Sequence, residues 1–368
     1  MDGLRGLVML LMLVDHTREL FFYHAQVADP MDLDVTGPAL FFTRLTSHLC
    51  APVFVALTGL SAWLYGTAHG GTAAASAFLF KRGLFLVVLE LTLVSFAWSF
   101  DPTPDIVYLQ VIWAIGVSMI VLAALVHLPR SVLIAVGSAI MLGHNLLDPV
   151  AFAPGDAGYV PWAILHDRTM MDLPWGGRLR TSYPLLPWIG VIALGYAIGP
   201  WFARTVEPAR RERLLVATGL VSLLGFVVLR SINGYGEPRA WQIGDTPLAT
   251  AMSVLNLTKY PPSADFLLAT LGLGALLLAG MERGQRRLVT TLAVFGGAPL
   301  FFYLLHIYLL HGINRLVGAF SGTSGWVSVP GVWAIWLLAA AVAVPCWFAC
   351  RRFAALKRTS DQRWLRYF

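Results

Sequence analysis

Charged residues are scarce in this sequence. Asp, Glu, Lys and Arg together make up 12% of the 368 residues, whereas soluble chains carry roughly 25%. The apolar and aromatic set AVILMFWYC makes up 57%, and the mean hydropathy is +0.69. One soluble core cannot bury that much apolar surface, so the composition excludes an ordinary soluble protein and indicates an integral membrane protein.

Cysteine and the common catalytic motifs are scarce as well. The three cysteines, Cys50, Cys346 and Cys350, fall inside apolar segments. Their odd number and lack of metal-type spacing predict small buried side chains rather than a disulfide framework. The sequence contains no H-E-x-x-H, P-loop, dinucleotide fingerprint or G-x-S-x-G. We therefore expect no bound metal, no nucleotide hydrolysis and no serine nucleophile.

Basic residues outnumber acidic ones, with a net charge of +6. They stand in short clusters between apolar segments, which is how membrane topology is encoded. The charge therefore predicts no nucleic-acid partner. The basic clusters place both termini in the cytoplasm.

Hydrophobic segments of about 20 residues, the length that crosses a bilayer, follow one another along the chain. They predict an all-α, polytopic protein of about ten transmembrane helices in a single domain, residues 1–368. The first segment is too long for a cleaved signal peptide and is expected to stay as a helix. The predicted spans are residues 3–24, 38–66, 82–100, 106–127, 131–146, 184–204, 212–231, 262–281, 290–318 and 327–350.

Two long connections, residues 147–183 and 232–261, fall on the predicted outer side and are rich in Pro, Gly, Trp and Tyr. Long connections in compact proteins are usually functional. We expect them to cover an outward-facing cavity, with a disordered surface loop as the alternative.

Ionisable residues inside a membrane are candidates for function because they are costly to place there. Arg5 and His16 are eleven positions apart, close to three helical turns, so they share one helix face about 16 Å apart. This arrangement suits a long anionic ligand that enters from the cytoplasm with its reactive end at His16. The alternative is that His16 is a polar residue that joins helices.

Other ionisable residues extend this pattern. Asp15 adjoins His16 but points elsewhere on a helix, so its partner is expected to be Arg18 or a group on another helix. Arg44 and His48 share a face at i and i+4. Tyr23 and His24 stand at the outer end of the first helix, and His306 lies in the ninth span.

Glu90 lies near the middle of the third span with no cation within a helical turn. It is therefore expected to pair across helices, with Arg5, Arg18 or Arg44 as the candidates. A structural ion pair is the expected role.

The first helix, with Arg5, ten intervening residues and His16, resembles the R-x10-H pattern of the acyltransferase-three family. The rest of the chain looks like the bacterial relatives of heparan-alpha-glucosaminide N-acetyltransferase. The matching stretches are residues 47–54, 89–91, 187–190, 256–263 and 299–306.

This resemblance implies a cytoplasmic acyl-CoA donor, usually acetyl-CoA, and transfer of its acyl group to an outer-side acceptor, often a sugar. It makes His16 the candidate base and Arg5 the basic residue near the donor. The lysosomal enzyme has Asn at the position of His16. Its catalytic histidine lies further along the sequence and corresponds most closely to His24, although the spacing differs. Which histidine acts is therefore open.

The predicted function is acyl transfer in a bacterial inner (plasma) membrane. A neutral histidine, His16 or His24, takes the proton of the acceptor, and Asp15 orients or polarises the imidazole. Lys81, Arg82 and Arg5 are the candidate residues for the phosphates of the donor. The candidate acceptor-binding residues are Arg44, His48, Glu90, Lys259, Tyr260 and His306.

Several alternatives stay open at this stage. The acyl group either moves directly or passes through an acyl-enzyme. A proton-coupled secondary transporter of a small solute is the rival function. Also open are the acceptor, the acyl chain, O- against N-transfer and the oligomeric state, with a homodimer as one option and lipid as the surrounding partner.

Overall fold

The computed structural model describes residues 1–22, 29–174, 176–322, 325–362 and 365. Most of these residues are helical, and one small sheet is present among them. The predicted all-α class is therefore confirmed in its main feature.

The helices and strands follow one another along the chain in a fixed order. They are α1 (Asp2–Phe21), α2 (Pro38–Thr46), α3 (Cys50–His69), α4 (Thr72–Leu89), α5 (Ser95–Ser99), β1 (Ile106–Leu109), α6 (Val111–Leu125), α7 (Arg130–Gly143), α8 (Tyr159–Leu165), β2 (Met170–Asp172), β3 (Arg178–Thr181), α9 (Leu186–Ala197), α10 (Pro208–Ile232), α11 (Pro247–Leu255), α12 (Ala264–Arg283), α13 (Arg286–Gly296), α14 (Pro299–Ser321) and α15 (Val332–Thr359). Short 3-10 turns cover Ser47–Leu49, His144–Leu147 and Gly199–Phe202, and a π-helical turn covers Glu90–Val94.

Six helical stretches of the described chain are long and apolar enough to cross a membrane. Two shorter apolar helices, Val111–Leu125 and Leu186–Phe202, add to them. The predicted count of ten and the cytoplasmic termini stay predictions. The six stretches are Pro38–His69, Arg130–Leu147, Pro208–Ile232, Ala264–Arg283, Pro299–Ser321 and Val332–Thr359.

Two predicted spans are wrong in their details. Residues 106–109, placed at the start of the fourth span, form β1, because their β-branched and aromatic side chains favour a strand and pair in parallel with Arg178–Thr181. The ninth span, residues 290–318, is two helices. The chain breaks between α13 and α14 at Gly297 and Ala298, and Pro299 begins the new helix, where its missing N–H is no loss.

The chain divides into two compact units. The first comprises residues 1–50, 241–256 and 280–368, and the second comprises residues 51–240 and 257–279.

In the first unit, α1 packs against α13, α14 and α15. Its contact with α13 is very close because both helices carry glycine there. A Cβ atom added to Gly6 would lie 1.9 Å from the Leu292 carbonyl oxygen, and one added to Gly296 would lie 1.9 Å from the Asp2 carbonyl oxygen. Such small-residue contacts let membrane helices gain packing energy where lipid supplies no hydrophobic drive.

In the second unit, the helix pairs α4–α6 and α7–α9 pack together. The three-stranded sheet has the order β1-β3-β2, with β1 parallel and β2 antiparallel to β3. Helix α8 and strands β2 and β3 all lie in the predicted connection 147–183. This connection thus contains a helix and two paired strands, and the alternative of a disordered loop is wrong for these elements.

The close approach of α1 and α13 is tested by Gly6→Ala. The added methyl group forces the two backbones apart, so we expect the free energy of unfolding to fall by about 1–3 kcal/mol. The measurement is thermal unfolding of the detergent-purified protein followed by tryptophan fluorescence.

The matched control is Gly312→Ala in α14, where an added Cβ meets no heavy atom within 4 Å. Alanine there favours the helix by up to about 1 kcal/mol. Equal midpoints of thermal unfolding for Gly6→Ala and Gly312→Ala would show that the α1–α13 contact accommodates the added methyl group at little cost in stability.

Candidate functional site

The first unit joins two histidines from distant parts of the chain. The Nδ1 atom of His16 on α1 lies 2.7 Å from the Nε2 atom of His306 on α14. The two rings are almost parallel, at 9°, with their centroids 5.0 Å apart. His306 is fully buried and His16 is partly buried. Both candidates from the sequence therefore belong to one pair.

Backbone hydrogen bonding fixes the tautomers of this pair in its neutral form. The Nδ1 atom of His306 lies 2.8 Å from the Phe302 carbonyl oxygen. A carbonyl only accepts, so Nδ1 of His306 carries the proton and Nε2 is its acceptor atom. His16 must then donate through Nδ1–H, which leaves the lone pair of its ring on Nε2. The arrangement therefore makes Nε2 of His16 the basic atom.

Tyr303 stands beside this pair. Its ring meets that of His16 edge-on, with centroids 6.0 Å apart, and that of His306 in the same way at 5.8 Å. Tyr303 is buried. The partner of His306 was not predictable from local pattern, because 290 positions separate it from His16. His24, the other candidate base, and Tyr23 lie outside the described residues.

Asp15 is the centre of a buried ion-pair network in the first unit. Its carboxylate accepts a hydrogen bond from Arg44 on α2 and a 3.1 Å bond from Arg18 Nε. Arg18 also binds Glu19 at 3.1 Å. Asp15, Arg18 and Arg44 are all buried. Both expected kinds of partner, Arg18 and a group on another helix, are thus confirmed.

This network shows what Asp15 contacts directly. Two guanidinium groups hold its carboxylate, which ties α1 to α2. A role in orienting His16 stays a prediction. Arg44 also donates to the Ser47 hydroxyl at 3.3 Å, and His48 follows in the 3-10 turn, where it is buried. The contact of Arg44 and His48 with the acceptor likewise stays a prediction.

The candidate donor residues differ in their surroundings. Arg5 pairs with Asp2 at 2.8 Å and has only 17% of its side chain exposed. In the second unit, Lys81 is exposed on α4, and the guanidinium of Arg82 lies 5.7 Å from the ring centroid of Phe78. Arg5 and His16 do lie on one continuous helix, as the first apolar segment predicted.

Glu90 has a different partner from the expected cation. Among the described residues it forms no salt bridge, and its carboxylate accepts from the backbone N–H of Trp113 at 3.0 Å. Trp113 lies in the first turn of α6, where backbone N–H groups lack helical partners. The predicted ion pair is therefore wrong, because the positive end of α6 provides the charge that Glu90 needs. Its role as an acceptor ligand stays a prediction.

Lys259 and Tyr260 belong to an aromatic and cationic cluster in the second unit. The hydroxyl groups of Tyr260 and Tyr183 lie 3.2 Å apart. Arg168 stands 4.8 Å and the Lys259 ammonium 5.4 Å from the Tyr260 ring centroid. Lys259 is buried. Arg168 and Tyr183 were not predicted, since neither stands in a motif.

Glu237 fixes the chain around this cluster. Its carboxylate accepts from the Thr258 amide at 2.9 Å, from the Ser263 hydroxyl at 2.6 Å and from the Thr258 hydroxyl. The stretch 256–263 is thus anchored by a carboxylate from the beginning of the connection 232–261.

Comparison with known proteins adds an assignment to this geometry. The catalytic family of heparan-alpha-glucosaminide N-acetyltransferase matches residues 1–232, which is more than half of the chain. The chain belongs to this family. Membership implies a transmembrane acetyltransferase, in agreement with the apolar helices. A search among proteins of curated function finds no match to the chain.

The matched region contains α1 with Arg5, Asp15 and His16, the Arg44 segment and the Glu90 turn. It ends before α14, which supplies His306, and before the stretch 256–263. The relation of the chain to heparan-alpha-glucosaminide N-acetyltransferase is thus confirmed over residues 1–232.

The Asp15 network is tested by Asp15→Asn. The substitution removes the negative charge that Arg18 and Arg44 share at Asp15, and breaking a buried ion pair costs about 3–5 kcal/mol. We expect a large drop in the midpoint of thermal unfolding in detergent.

Asp2→Asn on the same helix is the matched control. Asp2 also pairs with an arginine, but 53% of its side chain is exposed, so its loss is expected to cost no more than about 1 kcal/mol. A similar small effect for both variants would contradict a structural role for the Asp15 network.

Proposed function

We propose that this membrane acetyltransferase moves an acetyl group from acetyl-CoA to a hydroxyl or amine of a carbohydrate or other small acceptor, with His16 as the general base. The observation that carries the proposal is the hydrogen bond between His16 and His306. It supports a basic Nε2 atom on His16 inside an acetyltransferase of known family.

The proposed reaction is direct transfer. Nε2 of His16 takes the proton of the acceptor as the acceptor oxygen or nitrogen attacks the thioester carbonyl. The tetrahedral intermediate then collapses, the C–S bond breaks, and the leaving sulfur takes the proton from His16. Histidine suits both steps, since its unperturbed pKa is about 6.5.

His306 is proposed as a positioning residue. It accepts from His16 Nδ1–H, which holds the imidazole plane and keeps the proton away from Nε2. When His16 takes up the acceptor proton, the same bond strengthens, because its donor is then charged. His306 thereby favours the protonated state that forms during the attack.

Substrate binding is proposed from charge and chemistry. Arg5, Lys81 and Arg82 are cations suited to the phosphates of CoA, and the clusters of basic residues support entry of the donor from the cytoplasm. Lys259 and Tyr260, with Tyr183 and Arg168 beside them, are proposed as acceptor contacts. Aromatic rings next to hydrogen-bonding groups suit a sugar, which presents C–H faces and hydroxyl edges.

The central role of His16 is tested by His16→Ala in membranes supplied with labelled acetyl-CoA and an acceptor panel. General base catalysis contributes typically 10² to 10⁴-fold, so we expect a loss of activity of about that size with the KM for acetyl-CoA little changed. Small imidazole added to the assay is expected to restore part of the rate.

The matched control is His69→Ala. His69 ends α3, is exposed, and binds only the Tyr65 carbonyl through Nδ1 at 2.9 Å among its described hydrogen bonds. We expect His69→Ala to keep full activity. Full activity in His16→Ala would overturn the role of His16 as the base. If His16→Ala keeps activity and His24→Ala loses it, the base is His24. Label recovered on the wild-type protein without acceptor would replace direct transfer by an acyl-enzyme.

The positioning role of His306 is tested with two variants of similar size. His306→Leu leaves the Nδ1–H of His16 without its acceptor, which costs about 1–3 kcal/mol and predicts a fall in kcat of about 5- to 150-fold. His306→Gln offers an amide oxygen near the former Nε2 position and is expected to retain more activity. The measurements are kcat, KM for acetyl-CoA and the pH profile of kcat.

A purely structural role for His306 predicts a different result. Both variants would then lose folded protein, with kcat per folded molecule and the pH profile unchanged. Thermal unfolding of each purified variant separates these outcomes.

A further inference from the structure

A second group of ionisable side chains lies in the second unit, apart from the residues discussed so far. His144 begins the 3-10 turn after α7, Asp148 follows that turn, and His166 directly follows α8. One possible ligand atom from each of the three residues lies within 4.8 Å of the others. The His166 Nε2 atom is 2.9 Å from the Asp148 carboxylate.

The two imidazoles are buried but poorly satisfied. His144 and His166 are each 2% exposed. Neither nitrogen of His144, nor Nδ1 of His166, makes a hydrogen bond to the described residues. The Pro262 carbonyl group lies near the His144 ring, but it does not have the geometry of a hydrogen bond. Buried polar groups normally have partners, so these nitrogens indicate a missing ligand.

The Asp148 carboxylate is held by a neighbouring side chain that lies outside the group of three. Asn145 donates to Asp148 at 3.0 Å and accepts from the Ala264 amide at 2.9 Å. Such outer contacts orient the ligands of metal sites.

We propose that His144, Asp148 and His166 bind a divalent transition-metal ion, of which Zn²⁺ fits best. Two imidazole nitrogens and one carboxylate oxygen are a set of three protein ligands that zinc uses, with a fourth position left for water. The Asp148 side chain is 31% exposed, so water can reach this position. The ion replaces the direct contact between His166 and Asp148.

The bound ion is expected to stabilise the structure of the second unit. The ion ties the end of α7 to α8 and so fixes the connection 147–183, which continues into β2 and β3. The expectation of no metal came from sequence spacing, because His144 and Asp148 alone are not a metal motif and His166 stands 18 positions beyond Asp148. The fold supplies the third ligand.

The test measures metal binding without an activity assay, so it is independent of the proposed function. Protein purified without a polyhistidine tag is stripped with EDTA, incubated with Zn²⁺ and passed through gel filtration. Zinc per chain is then determined by mass spectrometry, and the unfolding midpoint is measured with and without Zn²⁺. We expect one zinc ion per chain and a higher midpoint with Zn²⁺.

Matched variants locate the ion. His144→Gln and Asp148→Asn are expected to lose stoichiometric zinc and its stabilising effect, whereas Asn145→Ala is expected to bind about 10–100-fold more weakly. His127→Gln is the control, because His127 is exposed after α6, and it is expected to bind as the wild type does.

Wild-type protein also provides a test that needs no variant. Co²⁺ is expected to bind and to give the visible absorption of a tetrahedral site, which Zn²⁺ then abolishes. The proposal is overturned if the wild type retains no more metal than the buffer blank, or if folded His144→Gln and Asp148→Asn bind zinc as tightly as His127→Gln does.

Discussion

The Asp15 carboxylate, held by Arg18 and Arg44, is the interaction on which the first unit depends most. Charges taken out of water must be matched inside the protein, because an unpaired buried ion costs several kcal/mol. Asp15 and Glu19 on α1 face Arg18 on the same helix and Arg44 on α2. Two acidic and two basic groups thus compensate each other and join α2 to the helix that bears His16.

The same constraint acts in the second unit with backbone groups as partners. Glu90 accepts from the first turn of α6, and Glu237 accepts from the stretch that contains Thr258 and Ser263. In each case a carboxylate satisfies N–H or O–H groups that secondary structure leaves open. A polar residue in an apolar sequence therefore marks a structural junction as often as a reactive group, which is why Glu90 was assigned the wrong partner.

The sequence predicted the features that depend on local pattern and composition. These include the membrane class, most helix positions, the family relation and the partner of Asp15 three residues away. Contacts across long stretches of chain were not predictable, because periodicity describes one helix at a time. The pairing of His16 with His306 and the approach of His166 to His144 both require the fold.

Short-range structure was also misjudged where two tendencies compete. Residues 106–109 are apolar enough to extend a membrane helix, yet β-branched enough to form a strand, and the partner strand at Arg178–Thr181 decides between them. Between α13 and α14 a long apolar run hides a break at Gly297 and Pro299. Hydrophobicity alone does not detect such a break, whereas the conformational preference of these two residues does.

The His16–His306 pair explains how a rigid bundle could control a proton. His306 Nδ1 binds the carbonyl of Phe302 one turn earlier on its own helix, so the backbone of α14 sets both the ring plane and the tautomer of His306. That tautomer in turn sets the tautomer of His16. The basicity of Nε2 on His16 then depends on the packing of α1 against α14. A displacement of either helix by about 1 Å would break the hydrogen bond, which is 2.7 Å long, and release His16 to either tautomer, so the proposed role of His16 as a base requires this packing to be maintained.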